Sequence, residues 1–325
     1  MKPLKFKPIL KTVVWGGEDI APYKGIKTTQ QHIGESWELS GVPGNESIVA
    51  EGPLEGRSIA SLVKEFKGEL VGKHVYERSG DEFPLLIKFI DAAADLSIQV
   101  HPDDALAAKR HGTNGKTEMW YVVAAKPGAH LLSGLKTAIG PDEYAGKVAD
   151  GSIVDALARY DVAPGDVFFL PAGRIHAICS GCFIAEIQQT SDITYRIYDY
   201  KRPGLDGKPR EVHTELAKDA IDYRVYPDYR TEYTPAQDEE VELVSCPYFI
   251  TSVLDLTLPY AKDLSELDSF MVVMCLAGSG TLEVDGEEVP VVQGETVLIP
   301  ASADDLCCIP ADEGLKLLTS CVGNN

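Results

Sequence analysis

Residues 164–176, PGDVFFLPAGRIH, have a counterpart much later in the chain, since residues 293–305 read QGETVLIPASADD. In both stretches a glycine and an acidic residue precede four mostly apolar residues, and Pro-Ala follows the apolar run. Apolar, β-branched and aromatic residues between turn residues are typical of β-strands. The repetition predicts two copies of one small β-barrel unit, which would account for a chain of 325 residues.

The rest of the chain also favours strands over helices. Strand-like stretches include FPLLIKFIDA, LSIQVHP, EMWYVVAA, HLLSGL, CFIAEIQQTS and MVVMCLAGSGTLEVDG. Helical spacing of apolar residues is confined to residues 56–66, to 142–160 with an interruption near Gly151, and to 210–223. We therefore predict a mainly β fold of the sandwich or barrel class with a few short helices.

The two copies differ in the polar residues that could bind a metal ion. Aligning their glycines places His176 of the first copy opposite Asp305 of the second. Upstream, MWYVVAAKPGAHLL is loosely echoed by MVVMCLAGSGTLEV, so Val272 and Met274 are expected where the first copy has Glu118 and its neighbours. The second copy contains no histidine. These differences predict that only the first copy carries a metal site.

The charge of the chain restricts its partners. A formal net charge of −20 repels nucleic-acid phosphate, and no block of Lys and Arg offsets it. No apolar run is long enough to span a bilayer, and the opening MKPLKFKPILKTVVWGG has neither the apolar core nor the cleavage site of a signal peptide. We expect a cytoplasmic protein with a small-molecule partner and no nucleic-acid or membrane partner. The sequence carries no signal of its oligomeric state.

Four residues of the first copy could hold a metal ion. Gln99 and His101 lie two apart in SIQVHPDD (97–104), so a strand would point both side chains to one face. Glu118 begins a second strand-like stretch, and His176 ends the repeated motif. Two imidazoles, a carboxylate and an amide are ligands that Zn²⁺ accepts, and three or four protein ligands with an open position are typical of catalytic zinc.

Four motifs in this order, QVHPDD, GKTEMWYV, LPAGRIHAI and EIQQTSDITYRIYDY, resemble the type I mannose-6-phosphate isomerases, especially their short bacterial form. The resemblance covers most of the chain, from VWGG and ESWELSG to the C-terminal unit. It implies tandem cupin barrels, that is, double-stranded β-helix or jelly-roll units. With the polar stretch 224–240 as connector, we expect a catalytic cupin domain with short helical insertions at residues 1–235 and a metal-free cupin domain at 236–325.

The resemblance also implies an activity and roles for individual residues. The activity is a zinc-dependent interconversion of mannose 6-phosphate and fructose 6-phosphate through an enediol-type proton transfer, with one Zn²⁺ per chain. The implied metal ligands are Gln99, His101, Glu118 and His176; the implied catalytic residues are Arg196, Lys116 and Glu186; the implied substrate-binding residues are Ser97 and Lys88.

The chemistry of such a reaction agrees with these residue types. Moving a proton between adjacent carbons needs a base near both carbons and a cation that stabilises the developing oxyanion. Arg196 would supply a permanent charge. The base stays open between Glu186, Lys116 and a zinc-bound water. An anionic phosphosugar also needs a basic island on this acidic protein, for which the candidates are Lys88, Lys116, Arg174, Arg196, Lys201 and Arg202.

Two other functions would use the same fold. A non-catalytic sugar-binding cupin would keep the barrel, but it would have little reason to keep both a complete metal set and Arg196. A metal-dependent cupin oxygenase or decarboxylase would generally carry closely spaced histidines such as HxH, which this chain lacks. The sequence therefore favours the isomerase.

Overall fold

The apolar stretches form antiparallel strands throughout residues 1–323, the part of the chain that the structure, a computed structural model, describes. The strands of the first part of the chain are β1 Leu4–Lys7, β2 Ile9–Gly17, β3 Ile33–Ser40, β4 Ile48–Val49, β5 Leu85–Asp91, β6 Ile98–Val100, β7 Glu118–Ala125, β8 His130–Leu135, β9 Leu157–Asp161, β10 Val167–Leu170, β11 His176–Ile178, β12 Cys182–Gln189 and β13 Tyr195–Tyr198. The later strands are β14 Glu240–Ser245, β15 Ile250–Leu256, β16 Tyr260–Asp263, β17 Met271–Val284, β18 Glu287–Val292, β19 Thr296–Ile299 and β20 Asp305–Cys321.

Helices are short and connect the strands. They are α1 Ile20–Tyr23, α2 Ile59–Phe66, α3 Gly68–Val71, α4 Lys73–Ser79, α5 Asp104–His111, α6 Pro141–Asp150 and α7 Thr214–Ala220, with a 3₁₀ helix at Ser152–Ala156. The interruption predicted near Gly151 is present, because this glycine has a left-handed φ of +87°. The helical prediction for residues 157–160 is wrong, since they belong to β9 and pair with β8.

The first barrel consists of two facing sheets. One has the strand order β10-β7-β12-β5-β3-β2 and the other β13-β6-β11-β8-β9. Large apolar side chains such as Trp120, Phe168 and Ile184 fill the space between them and are at most 1% exposed. Because strand side chains alternate between the two faces, every second residue of β7 and β12 points into this barrel.

Two long strands, β17 and β20, run through the second barrel. Its sheet has the order β14-β15-β20-β17-β19-β1-β4, with β16 on β20 and β18 on β17. The pairing register of β17 and β20 shifts between Gly278 and Gly280, where the sheet bends. A Cβ at Gly278 would lie 2.0 Å from the backbone oxygen of Gly314, and its φ is +74°, so only glycine fits there.

The N-terminal strand belongs to the second barrel. β1 pairs with β19 through Leu4 and Leu298, and with β4 through Phe6 and Val49. The chain therefore starts in the second barrel before it builds the first. The domain boundary between residues 235 and 236 stays a prediction.

The two barrels share one hydrophobic core. The first contributes Phe89 and Met119, and the second contributes Val272, Met274 and Leu318, all at most 1% exposed. Burial of apolar area at roughly 25 cal/mol per Å² makes this contact the main attraction between the barrels. The mainly β, tandem cupin fold predicted from the sequence is confirmed. No helix within residues 1–323 is both long enough and apolar enough to cross a membrane.

A buried ion pair adds specificity to this contact. The Lys24 ammonium lies 2.7 Å from Oε2 of Glu38 in β3, and both side chains are about 5% exposed or less. Lys24 also donates a hydrogen bond to the backbone oxygen of Gly294 in the second barrel. Oε1 of Glu38 accepts a hydrogen bond of 2.6 Å from Ser36. With these partners neither charge is left alone in the interior.

We expect a chain truncated after residue 235 to be insoluble. The truncation uncovers the apolar residues of the shared core and removes the strand partner of β1, which leaves a large apolar patch and an open sheet edge. Expression, solubility and size-exclusion chromatography would measure this, with a chain ending at residue 323 as control. A soluble, active fragment would contradict it.

Candidate active site

The candidate metal ligands come from both sheets of the first barrel. His176 in β11 pairs directly with Gln99 in β6, and His101 follows β6 by one residue. Glu118 is the first residue of β7 in the opposite sheet. One nitrogen of each histidine and one carboxylate oxygen lie within 4.8 Å of one another, and all three residues are buried. The structure thus brings together residues that are 75 positions apart along the chain.

Backbone carbonyls orient both imidazoles. Nδ1 of His101 lies 2.9 Å from the backbone oxygen of Ile193, and Nδ1 of His176 lies 2.8 Å from that of Arg174. A carbonyl only accepts, so each Nδ1 carries the hydrogen, and each Nε2 presents its lone pair to Glu118. The Nε2 atoms are 3.5 Å and 3.2 Å from the carboxylate oxygens.

Burial keeps both imidazoles neutral. Desolvation lowers the pKa of His176 to about 4, and it lowers the pKa of His101 well below the usual value of 6.5. Lys116 adds to both shifts because its positive charge opposes a second one nearby. Neutral imidazoles with free lone pairs are the form in which histidine binds metals.

The carboxylate of Glu118 lacks hydrogen-bond donors. Both of its oxygens are buried and accept no hydrogen bond from residues 1–323, and Nε2 of His101 has no hydrogen-bond partner there either. The Lys116 ammonium makes an ionic contact of 3.3 Å with Oε2. Burial raises the pKa of Glu118 to about 7, against the opposing effect of Lys116. A cation bound between these three residues would satisfy every one of these atoms, so the donor set fits a divalent metal such as zinc.

Gln99 lies at the edge of this group. Its Nε2 is 3.3 Å from Nε2 of His176, and Ser97 Oγ is 3.5 Å from its Oε1. The amide offers either an oxygen or a nitrogen to the centre, depending on the rotation of its last bond. Gln99 is therefore placed where it would be a fourth ligand through its oxygen.

A cavity of about 250 Å³ opens above these residues. Its lining includes all the other site residues predicted from the sequence: Lys88, Ser97, Lys116, Glu186 and Arg196, together with Gln99. It also includes residues that the sequence reasoning missed, namely Trp15, Glu35, Trp37, Asp192, Thr194 and Arg210. Only VWGG and ESWELSG pointed to the two tryptophans, as parts of matching motifs without assigned roles.

Lys88 and Glu186 form a buried ion pair in the wall of the cavity. They are cross-strand neighbours in β5 and β12, and Nζ lies 3.0 Å from Oε1. Trp120 donates a hydrogen bond of 2.8 Å to Oε2 of Glu186. Burial raises the pKa of Glu186, but Lys88, Lys116 and this hydrogen bond outweigh it and hold the pKa at about 2. Glu186 is therefore a carboxylate at neutral pH.

Arg196 is half-buried and faces the cavity from β13. Its Nη1 donates to the backbone oxygen of Glu211 at 2.9 Å, whereas its Nε is buried without a partner. Arg210 is the second guanidinium of the lining, and Asp199 binds it through both carboxylate oxygens at 2.6 Å. A bidentate pair of this kind holds the arginine in one orientation.

Three members of the predicted basic island lie elsewhere. Arg174 stacks on the rings of Tyr226 and Tyr229, with its guanidinium 4.4 Å from the Tyr229 centroid. Lys201 and Arg202 line a separate surface pocket beside the cavity. The cations of the cavity are thus Lys88, Lys116, Arg196 and Arg210. A wider depression of about 570 Å³, at residues 164–167 and 230–235, contains none of the predicted site residues.

The second barrel holds the loop that carries Lys116. The carboxylate of Asp104 accepts hydrogen bonds from Tyr248 Oη (2.6 Å), from the backbone nitrogen of Gly115 (2.8 Å) and from Gln189 Nε2 (3.0 Å). Oε1 of Gln189 in turn accepts from the backbone nitrogen of Thr117 at 2.8 Å. Gly115 and Thr117 flank Lys116, so this network fixes its backbone. Sequence reasoning could not find Tyr248, since nothing near it signals a site.

Comparison with known proteins places the chain in a family. A family model for the catalytic domain of phosphomannose isomerase type I matches residues 4–129, and one for the mannose-6-phosphate isomerase cupin domain matches residues 239–307. The mannose-6-phosphate isomerase ManA of Bacillus subtilis (strain 168) is 34% identical over 308 residues, or 92% of this chain and 93% of that protein. The chain belongs to the type I phosphomannose isomerase family.

Other mannose-6-phosphate isomerases are similar to this chain in sequence or in structure. The mannose-6-phosphate isomerase of Streptococcus mutans is 32% identical over 300 residues, 92% of each chain. The crystal structure of the Bacillus subtilis mannose 6-phosphate isomerase has a TM-score of 0.88 at 32% identity, with 98% of this chain and 99% of that chain covered. A Salmonella typhimurium phosphomannose isomerase, 17% identical with a TM-score of 0.80, shares the fold. The predicted family and enzyme type are confirmed.

We expect Tyr248→Phe to lower the free energy of unfolding by about 1 kcal/mol. The substitution removes one hydrogen bond to a charged, partly exposed carboxylate and changes little else. Urea denaturation would measure the loss.

Tyr226→Phe, which removes a similar contact to Asp222 outside the network, is the control when the kinetics of Tyr248→Phe are measured. If Tyr248→Phe raised KM or lowered kcat no more than this control, the network would not position Lys116.

Proposed function

We propose that the protein is a zinc-dependent isomerase that interconverts mannose 6-phosphate and fructose 6-phosphate through an enediol-type proton transfer. The observation that carries this proposal is the buried group of His101, Glu118 and His176 beside a cavity lined by four cations, one of which, Lys116, contacts Glu118. Membership of the type I phosphomannose isomerase family supports the same substrate pair. We also propose a cytoplasmic location, which suits an enzyme of phosphosugar metabolism.

His101, Glu118 and His176 would hold the zinc ion, with Gln99 as a fourth ligand. When bound, zinc would supply a Lewis acid that polarises the oxygens of the reacting carbons. The two backbone carbonyls that bind the Nδ1 hydrogens keep the imidazoles correctly turned for this role. The ligand set therefore needs no rearrangement of the histidines.

Arg196 would stabilise the negative charge that develops on the substrate. Its side chain lines the cavity, and the hydrogen bond from Nη1 to the backbone oxygen of Glu211 holds the guanidinium there. A guanidinium cannot take up the transferred proton at neutral pH, so its charge is constant throughout the reaction. Such preorganised charge in a site of low dielectric is an effective source of rate acceleration.

Of the two residues that we consider for proton transfer, Lys116 and Glu186, Lys116 is the better candidate. A carboxylate with a pKa of about 2 accepts a proton with little driving force, which favours Glu186 as the group that orients Lys88 toward the cavity. Lys116 reaches the cavity from the loop beside Glu118 and can donate to a substrate oxygen. Lys88 and Ser97 would bind the substrate through its polar groups.

The cavity favours an isomerase over the two other cupin functions. A metal site with two histidines and one carboxylate would also suit a non-haem iron oxygenase. The four cations around the cavity, however, match an anionic phosphosugar, and a purely sugar-binding cupin would need neither the cations nor the metal ligands.

A coupled assay of fructose 6-phosphate formation from mannose 6-phosphate, with and without a chelator, tests the proposal. Absence of this activity in metal-loaded protein would refute it.

We expect His101→Ala and His176→Ala to lose the bound metal and the activity, because each removes one of few strong bonds at the site. Elemental analysis of purified protein would show about one zinc per chain in the native enzyme and far less in the variants. His130→Ala, which alters a histidine outside the site, should keep both. Full activity in a metal-free preparation would contradict the zinc dependence.

We expect Arg196→Ala to lower kcat by roughly 10²- to 10³-fold without loss of zinc, since it removes a charge that acts on the transition state. Arg196→Lys should restore only part of the rate, because an ammonium does not reproduce the planar guanidinium. Lys201→Asn removes a cation outside the cavity, at a left-handed position that Asn tolerates, and should leave kcat unchanged. Near-normal turnover of Arg196→Ala would show that the assignment is wrong.

A further inference from the structure

The second barrel contains a cavity at the position of the catalytic cavity. In the first barrel Glu118 pairs with Leu170, and in the second Met271 pairs with Ile299. The sequence repeat aligns Leu170 with Ile299. Met271 therefore occupies the position of Glu118 in the second barrel.

The strand register refines an expectation from the sequence. The pattern predicts Val272 and Met274 where the first copy has Glu118 and its neighbours; the register places Met271 at the position of Glu118 itself and Val272 at that of its neighbour Met119. Val272 and Met274 belong to the core shared with the first barrel, whereas Met271 belongs to the interior of the second. A shift of one residue in a strand moves a side chain to the opposite face.

The equivalence extends across the sheet. Thr319 pairs with the residue two beyond Met271, just as Glu186 pairs with the residue two beyond Glu118. Ser252 pairs with Thr319 as Lys88 pairs with Glu186. Thr319 thus takes the place of Glu186, and Ser252 takes the place of Lys88. The groups that would carry the chemistry are replaced by a thioether and two hydroxyls.

The interior around these residues remains open. A cavity of about 290 Å³ is lined by Ser252, Met271 and Thr319, whereas the catalytic cavity measures about 250 Å³. The three residues are 2% to 7% exposed, whereas Glu242, which also lines the cavity, is exposed, so the cavity reaches from the barrel interior to the surface. This volume is near the lower end of ligand sites, roughly 300 to 1,000 Å³, and suits a ligand of monosaccharide size.

The second cavity is lined by more acidic than basic residues, whereas four cations line the first. Lys262 forms an ion pair with Glu240, and Tyr260 Oη donates 3.2 Å to Oε2 of the same carboxylate. Glu242 adds a second negative charge, so two carboxylates face one ammonium. Leu267 gives the wall an apolar part beside Met271. This arrangement repels a phosphate group and offers both hydrogen-bond donors and acceptors to an uncharged ligand.

We propose that the second barrel binds an uncharged monosaccharide or a similar polyol. Carboxylate, ammonium and hydroxyl groups would bind the sugar hydroxyls, while Met271 and Leu267 would pack against its C–H face. Met271, Thr319 and Ser252 replace Glu118, Glu186 and Lys88, so the site lacks the residues that we assign to the chemistry of the first barrel and is proposed to bind without reaction. This inference does not depend on the isomerase reaction in the first barrel.

Methyl NMR of the zinc-loaded enzyme tests the proposal directly. The chain has four methionines, so ¹³C-methyl labelling gives few signals, and Met271→Leu identifies the one in the cavity. Titration with D-mannose should shift the Met271 signal in a saturable manner. Absence of a concentration-dependent shift, or stronger binding at Met271 by mannose 6-phosphate than by mannose, would overturn the proposal.

Two variants localise the binding. Ser252→Leu fills the cavity and should abolish the Met271 shift while isomerase activity stays normal. Ser245→Leu, an exposed position at the end of β14, is the matched control and should titrate like the wild type. Glu240→Gln keeps the shape but removes a charged acceptor, and it should weaken binding about tenfold. Unchanged titration of both cavity variants would show that mannose binds elsewhere.

Discussion

The active site depends on one buried carboxylate. Glu118 sits in the interior of a barrel with no hydrogen-bond donor to either oxygen, while two neutral imidazoles turn their lone pairs toward it. The ionic contact with Lys116 only partly offsets the cost of burying this charge, because the pKa of Glu118 is still raised to about 7, and a bound metal cation would further stabilise the ionised form. The surrounding barrel supplies the rigidity for this, since the ligands come from strands of two facing sheets and their imidazoles are fixed by backbone carbonyls.

A second constraint is the overall acidity of the protein. With a net charge of −20, the surface would repel an anionic sugar phosphate. The cavity counters this with four cations, of which Lys88 and Arg210 are each held in place by a buried carboxylate. Glu186 pairs with Lys88 and Asp199 with Arg210, so each of these cations is fixed at the wall of the cavity.

The two barrels have the same scaffold but different residues at equivalent positions. Both are built from the same repeated strand motif, and the shared core fixes them back to back. At equivalent positions one has Glu118, Glu186 and Lys88, and the other has Met271, Thr319 and Ser252. The second barrel also helps to fix the site, because its Tyr248 donates a hydrogen bond to Asp104, which binds the backbone of the loop that carries Lys116.

The sequence by itself determined the β class and the tandem units, and it named the residues of the candidate metal site. These follow from local signals: alternation of apolar residues, a repeated motif, and ligands in short stretches that match a family. It could not determine that Arg210 lines the cavity while Arg174 stacks on tyrosines, nor that Met271 and not Val272 faces the second cavity. Those facts depend on strand register and on contacts between residues far apart in the chain, and only the packed tertiary structure fixes them.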